Sequence, residues 1–415
     1  MALFARGRLR PRPLLVESPP VNQPSHNNND KPNWPAVGAL SGVFALRMLG
    51  IFMVFPVLAV WAADLEDATP VLIGLALGVY GITQAIFQIP MGALSDRFGR
   101  RRIIVLGLLI FAAGGLVASQ ADTIWGVILG RGLQGAGAIA AAITALVADI
   151  TPAKFRTRAM AVIGASIGAS FALSMVLGPV LEGIMGVPGI FMLTAVLGVA
   201  AAGWLLLTVP KVAATGNARG GLGLELFRQP GFTGLTIGIF ILHLLLTASF
   251  LILPGLLRDS TGLAVSGHWQ IYLPVLAAAA GGMVLMVLKA ERGTRAHGMV
   301  LLALAQVAVG LGLMAFSGGS AWPLVIGLWI FFTGFTFLEA HLPARVSQVV
   351  PDDRRGAALG LYSSAQFLGA FVGGAGGGLM LSFTDIPVTL GTAATLAALW
   401  LILMATACRP KADSD

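Results

Sequence analysis

The sequence predicts an all-α membrane protein whose twelve transmembrane helices form two pseudo-symmetric six-helix bundles, and three observations carry that reading. Hydrophobic residues make up 57% of the chain and charged residues only 11%, where a soluble domain carries about a quarter; mean hydropathy is +0.87. Twelve apolar segments follow one another from residue 37, each near the roughly 20 residues that cross a bilayer as a helix. The charged loops also repeat: Glu291-Arg292-Gly293-Thr294-Arg295 after the eighth segment echoes Gly92 to Arg102 after the second, and Val350-Pro351 to Arg355 after the tenth echoes Thr151-Pro152 to Arg158 after the fourth. A tandem six-helix repeat is the signature of a two-bundle transporter.

Residues 1–35 are polar and rich in proline and asparagine, with Arg6, Arg8, Arg10 and Arg12 at the front. They read as a disordered cytoplasmic tail rather than a cleaved signal, because a polar spacer and a full-length span follow the basic residues. The expected spans are 37–61, 70–91, 103–120, 123–148, 158–183 and 187–209 in a first bundle covering 36–209. A cytoplasmic linker at 210–231 follows, with a surface helix expected at Leu222 to Arg228. The second bundle, 232–408, holds spans 232–256, 268–290, 298–317, 322–345, 356–382 and 385–408, and residues 409–415 form a short cytoplasmic tail. The single cysteine, Cys408, excludes a disulfide framework within one chain.

Orientation follows from the basic residues. Of the 26 Lys and Arg, 23 lie in the two tails and the even-numbered loops, Arg258 alone lies on the opposite side, and Arg47 and Arg131 fall inside spans. That asymmetry places both termini in the cytoplasm. The opposite loops carry acids such as Asp64, Glu66 and Asp67. The formal charge of +8 is spread over short loops instead of gathered on one domain, so it argues topology and not nucleic-acid binding.

Gly92-Ala93-Leu94-Ser95-Asp96-Arg97-Phe98-Gly99-Arg100-Arg101-Arg102 carries more charge and glycine than a connector between two spans needs. It resembles the loop signature of the major facilitator superfamily at every specified position. Arg131-Gly132-Leu133-Gln134-Gly135 resembles the second motif of that superfamily, and Gly178-Pro179 resembles the antiporter motif of its drug:proton branch, with Glu182 as a departure. Leu46 to Phe52 and Gly130 to Ala142 are similar to the YajR type of bacterial inner-membrane efflux transporter, members of which can carry a soluble domain after the last span. The resemblance implies twelve helices, a cytoplasmic latch and proton-driven export.

In the latch reading, Gly92, Asp96, Arg97, Gly99 and Arg100 join the two halves on the cytoplasmic side. Asp149 is the acid for the arginines, and the start of the eleventh span, near Asp353 to Gly356, supplies the positive end of a helix dipole for Asp96. The alternative is that the arginines only set topology.

Arg47 and Arg131 lie well inside the membrane, where an arginine is costly unless it meets a partner or a wet cavity. The resemblance links Arg131 to proton coupling; a hydrogen bond to backbone carbonyls within a bundle serves equally. Drug exporters of this superfamily often place an acid in the first span, and here that span offers Arg47. Glu339, His341, His243 and Glu182 are the main titratable residues inside spans. Burial penalises their charged forms, so a proton gradient can load and unload them; Glu339 pairing with Arg345 and His243 serving only in packing are the alternatives. Gly164, Gly168, Gly178 and Pro179 on the fifth span, with Gly369, Gly373, Gly374 and Gly376 to Gly378 on the eleventh, allow close helix approach and a sliding interface. Phe44, Phe52, Met53, Phe55, Phe171, Met175, Phe335 and Phe337 are candidates for an apolar cavity.

The expected function is export of small, fairly apolar molecules in exchange for protons by alternating access. No cofactor or metal is expected, the proton gradient supplying the energy, and the partners are a small-molecule substrate, protons and the lipid bilayer of a bacterial inner membrane, with the chain as a monomer. A sugar or metabolite exporter of the same fold, and a non-transporting receptor or scaffold, are the alternatives. The absence of HExxH, Gly-x-Ser-x-Gly and P-loop patterns argues against an enzyme.

Overall fold

A computed structural model describes residues 33–209, 224–229, 231–291, 296–351 and 354–407. The N-terminal tail, most of the linker, Arg292 to Arg295, Asp353, Cys408 and the C-terminal tail lie outside the described residues. Eleven helices among those described are long and apolar enough to cross a membrane. One of them, α7 (Arg156–Thr208), breaks at Gly186, whose φ of 67° and ψ of 174° no other residue type adopts readily. It therefore supplies two crossings, the fifth and sixth spans, and the twelve expected spans are present.

In a bilayer every backbone polar group must be satisfied within the protein, which is why the chain is helical throughout its apolar length. Helix starts follow local chemistry. The Asn33 side chain accepts from the Ala36 N–H at 3.1 Å to cap α1 (Trp34–Met53), and Thr69 accepts from the Leu72 N–H at 3.3 Å to cap α3 (Pro70–Phe98). Both have proline in the first turn, where a missing N–H costs nothing. Pro56 sits where α1 gives way to α2 (Phe55–Ala62) within one crossing. Gly99, at φ 97°, reverses the chain between α3 and α4 (Arg100–Ser119). The motif expected as a loop is thus mostly helix: α3 runs through Phe98 because nothing before Gly99 breaks it.

The fourth span is divided at Gly137 into α5 (Ile124–Ala136) and α6 (Ala140–Ile150). The second half comprises α8 (Phe232–Thr261), α9 (Trp269–Ala290), α10 (Ala296–Ala315), α11 (Ala321–Val349), α12 (Arg355–Leu381) and α13 (Ile386–Ala407). Of the linker, Leu224–Arg228 forms a short 3-10 turn with Leu226 buried.

Within the first half α1 lies along α7, and within the second α12 lies along α8; the two halves meet chiefly where α3 crosses α12. Small residues make both α12 contacts. Gly369 and Gly373 turn to the backbone of Phe240 and Leu244 on α8, whereas Gly374 and Gly378 turn to α3. A Cβ on Gly78 would stand 2.8 Å from the Phe371 carbonyl oxygen, so only glycine fits there. Close backbone approach through glycine is how membrane helices gain packing without a hydrophobic driving force.

The two ends of the molecule differ. Towards the end bearing Asp64 and Glu66, Phe55 of the first half meets Phe250 of the second, with ring centroids 5.7 Å apart, and Gly183 abuts Ser266. Towards the arginine-rich end, a Cβ added at Gly164 or Gly168 of α7 or at Gly356 of α12 would meet nothing within 4 Å. Contacts between the halves gather towards the acidic face, where α2 meets α8 and α7 meets α9, and are sparser towards the basic face, where α6 meets α12; the basic side is therefore the more open one. Gly164 and Gly168, expected at a helix interface, are at none in this conformation, whereas Gly178 is pressed against the Met53 carbonyl.

Candidate functional site

Two polar centres lie inside the bundles, one in each half. In the first, α1 places Arg47 and α5 places Arg131, both wholly buried. One Arg47 Nη2 donates to Gln84 Oε1 at 2.7 Å and to the Gly137 carbonyl at 3.1 Å, the latter at the break between α5 and α6. Its guanidinium also faces the rings of Tyr80 and Phe111 at 5.8 and 5.6 Å, contacts that stabilise a desolvated cation. Arg131 donates to the Ala76 carbonyl at 3.4 Å and to Gln134 Oε1 at 3.1 Å, and faces the ring of Tyr80 at 5.3 Å. Gln134 in turn donates to Thr194 Oγ1 at 3.1 Å. Every partner described for the two arginines is neutral. Neither arginine is exposed: each donates to a backbone carbonyl and a glutamine in the core of the first bundle, as the packing alternative for them has it.

A chain of amides leaves this centre. Gln84 donates to Gln88 Oε1 at 3.0 Å, and Gln88 donates across the boundary between halves to the Gly360 carbonyl of α12 at 3.4 Å.

The second centre joins three helices. His243 of α8 faces the Ile239 carbonyl through Nδ1 at 3.2 Å and lies 2.8 Å from the side-chain amide nitrogen of Gln366 on α12 through Nε2. The same amide nitrogen donates to Glu339 Oε1 of α11 at 3.1 Å, and Glu339 Oε2 lies 3.7 Å from His243 Nε2. The side chain of His243 is 13% exposed and that of Glu339 35%. Both lie on the basic side of a plug of phenylalanine rings. Phe52 and Phe171 of the first half stack edge to face at 5.3 Å, and Phe171 reaches Phe332 and Phe335 of the second, each at 6.1 Å. Phe335 in turn borders the His243 ring at 5.9 Å. The cavity candidates therefore divide: Phe52, Phe55, Phe171 and Phe335 form the plug, while Phe44, Met53, Met175 and Phe337 are core residues.

His341 does not join the pair; its ring stacks on Phe337 at 5.2 Å. Arg345 donates to Gln348 at 3.0 Å rather than to Glu339. Among the described residues no three His, Cys, Asp or Glu come together as metal ligands do.

At the basic face Arg100 is the hub. It forms ion pairs with Asp96 and with Asp149, the latter at 3.1 Å, and donates to Ser95 Oγ at 2.9 Å, while Arg101 donates to the Leu206 carbonyl. Gly92 lets α3 approach α6, where its Cβ would lie 3.3 Å from that of Ala141. The Arg97 guanidinium lies over the neighbouring Phe98 ring at 5.3 Å. All the bonds described for this motif stay within the first half. In the linker, Glu225 pairs with Arg354 just ahead of α12, and its carboxyl is held below the usual carboxylate range by a bond from its own backbone N–H and by that guanidinium.

Sequence reasoning found His243, Glu339, Arg47 and Arg131 because ionisable groups inside spans are rare. It missed Tyr80, Gln84, Gln88 and Gln366, which are neutral.

Two repeat-related helical halves, each with a polar centre inside it, define a membrane transporter of the two-bundle type. The chain belongs to the Major Facilitator Superfamily, whose family description matches residues 40–374. It is 40% identical over 381 residues to the inner membrane transport protein YajR of Escherichia coli K12, covering 90% of this chain and 84% of that one. It is also 32% identical to the class B tetracycline resistance protein of Escherichia coli over 144 residues, 34% of this chain and 35% of that one. A bacterial homologue of the human lysosomal transporter Spinster, solved in an inward-facing and occupied conformation, superposes with a TM-score of 0.69 at 16% identity, over 89% of this chain and 94% of that one. That likeness carries the fold alone.

Proposed function

We propose that the protein exports small, rather apolar compounds across a bacterial inner membrane in exchange for protons. Its arginine-rich loops and both termini face the cytoplasm. One observation carries this reading: the His243–Glu339 pair stands on the open side of the aromatic plug, with 35% of the Glu339 side chain exposed. A carboxylate and an imidazole so placed can take a proton from one compartment and, once the halves rock, release it to the other. The partial identity to a tetracycline resistance protein supports the drug-like substrate class, and the phenylalanine plug supplies the apolar surface such substrates need.

The two arginines are proposed as a fixed charge centre that shapes the first bundle. The motif from Gly92 to Arg100 is proposed as a switch. With the basic face open, Asp96 and Asp149 share Arg100 within the first half. With that face closed, the motif would meet the start of α12. The energy source is the proton gradient, no cofactor is required, and a single chain contains both halves.

The test is transport in proteoliposomes with an imposed pH gradient, using a panel of apolar dyes and antibiotics that includes tetracycline. The expected result is accumulation of at least one compound against its gradient, abolished by a protonophore. No proton movement with any compound of a broad panel would overturn the coupling.

A further inference from the structure

We infer that Gln366 is the positioning residue through which the charge state of the His243–Glu339 pair reaches the boundary between the two halves. The inference rests on the proton-coupled reading above. Gln366 places one amide nitrogen 2.8 Å from His243 Nε2 and 3.1 Å from Glu339 Oε1, and a primary amide has two N–H groups to give. The orientation is set by its surroundings. His243 Nδ1 faces the Ile239 carbonyl and must carry the hydrogen, so Nε2 is a lone pair. An ionised carboxylate likewise accepts only. Both neighbours demand the NH2 end of the amide, and Gln366 supplies it.

Adding a proton reverses one of these demands. When a proton from the basic side forms an N–H bond at His243 Nε2, or an O–H bond at Glu339 Oε1, that atom becomes a donor and no longer accepts from Gln366. The amide must turn about its last carbon bond to present Oε1, or leave. No other charged partner is described for the pair. On α11, His341 stacks on Phe337 and Arg345 bonds to Gln348; on α12, Tyr362 lies near Glu339; α3, packed against the other side of α12, carries Tyr80, Gln84 and Gln88, which are joined to one another. The exchange of donor for acceptor therefore falls on Gln366.

The consequence runs along α12. Phe367, the next residue, has its carbonyl against Gly81 of α3 and its ring 5.9 Å from that of Tyr80. About two turns earlier, the Gly360 carbonyl accepts from Gln88. The segment that holds the titratable pair on one side thus contacts the first half on the other. Protonation loosens α12 from α8 and α11 at Gln366 and lets it move with α3.

The experiment needs no substrate. In full-length protein carrying Cys408→Ser, a cysteine is introduced as Gly168→Cys, about one turn to the basic side of Phe171, and labelled with a membrane-impermeant maleimide in inverted vesicles. After correction for thiol ionisation with a surface cysteine control, the labelling rate should differ about tenfold between about pH 5.5 and about pH 8.5, on either side of the imidazole range. Adding Gln366→Leu should reduce that difference to less than about twofold. Gln366→Asn, one methylene too short to reach both partners, should do the same and guards against a folding defect specific to leucine. In a Glu339→Gln, His243→Phe background Gln366→Leu should have no further effect. Full pH dependence in both Gln366 variants would overturn this inference alone; a flat profile already in the parent would overturn the proton-coupled reading and this inference with it.

Discussion

The first half buries two guanidiniums among neutral partners, and the second holds a histidine and a glutamate bridged by an amide at the edge of an opening. The difference is one of permanence. A guanidinium keeps its proton throughout the physiological range, so the centre at Arg47 and Arg131 has one charge state and acts as a fixed field and a set of struts. An imidazole can gain or lose a proton within that range. In the proposed mechanism the repeat-related bundles carry different tasks, one rigid and one switchable.

The comparison breaks most visibly if the first centre is not a strut. Arg47→Ala removes bonds to Gln84 and Gly137 and two ring contacts from a wholly buried site. The expected cost is about 2–4 kcal/mol of stability, from unpaired acceptors and a cavity, read as a lowered thermal unfolding midpoint in detergent. Unchanged stability together with lost pH dependence would move Arg47 into the proton path.

Next in size is the open face. Gly164→Leu adds bulk where nothing lies within 4 Å, so stability should change by less than about 0.5 kcal/mol. Transport should nevertheless fall about tenfold or more, because the side chain obstructs closure of that face and a barrier rise of about 1.4 kcal/mol suffices for that factor. Normal transport would place the moving rim elsewhere.

Smallest in its effect on folding is the motif at the basic face. Asp96→Asn removes one of the two acids on Arg100, both partners partly exposed, so stability should change by no more than about 1 kcal/mol. Membrane insertion should be unchanged and transport reduced; unaltered transport would leave the arginines with topology as their only task.

Much of this was legible in the sequence. Bilayer thickness sets the length of an apolar run, and the cost of burying charge makes Arg47, Arg131, His243 and Glu339 conspicuous. The break of α7 at Gly186 was legible only as a short gap between the fifth and sixth expected spans. The amides were not singled out because a glutamine in a span is neutral and inexpensive enough to pass as packing. A signal was present: Tyr80, Gln84 and Gln88 recur at four-residue spacing and so share one face of α3. Gln366 had no such pattern, since its partners come from two other helices. That Glu339 stands free of Arg345 was likewise beyond sequence, as both lie near the same end of one span.

The most direct test of the account is proton flux by reconstituted Glu339→Gln beside the parent protein, driven by an outward gradient of a compound that the parent exchanges for protons. The account predicts substrate-driven proton movement in the parent and none above the protein-free background in the variant, with both proteins folded by thermal unfolding. Equal proton movement by the two would contradict it.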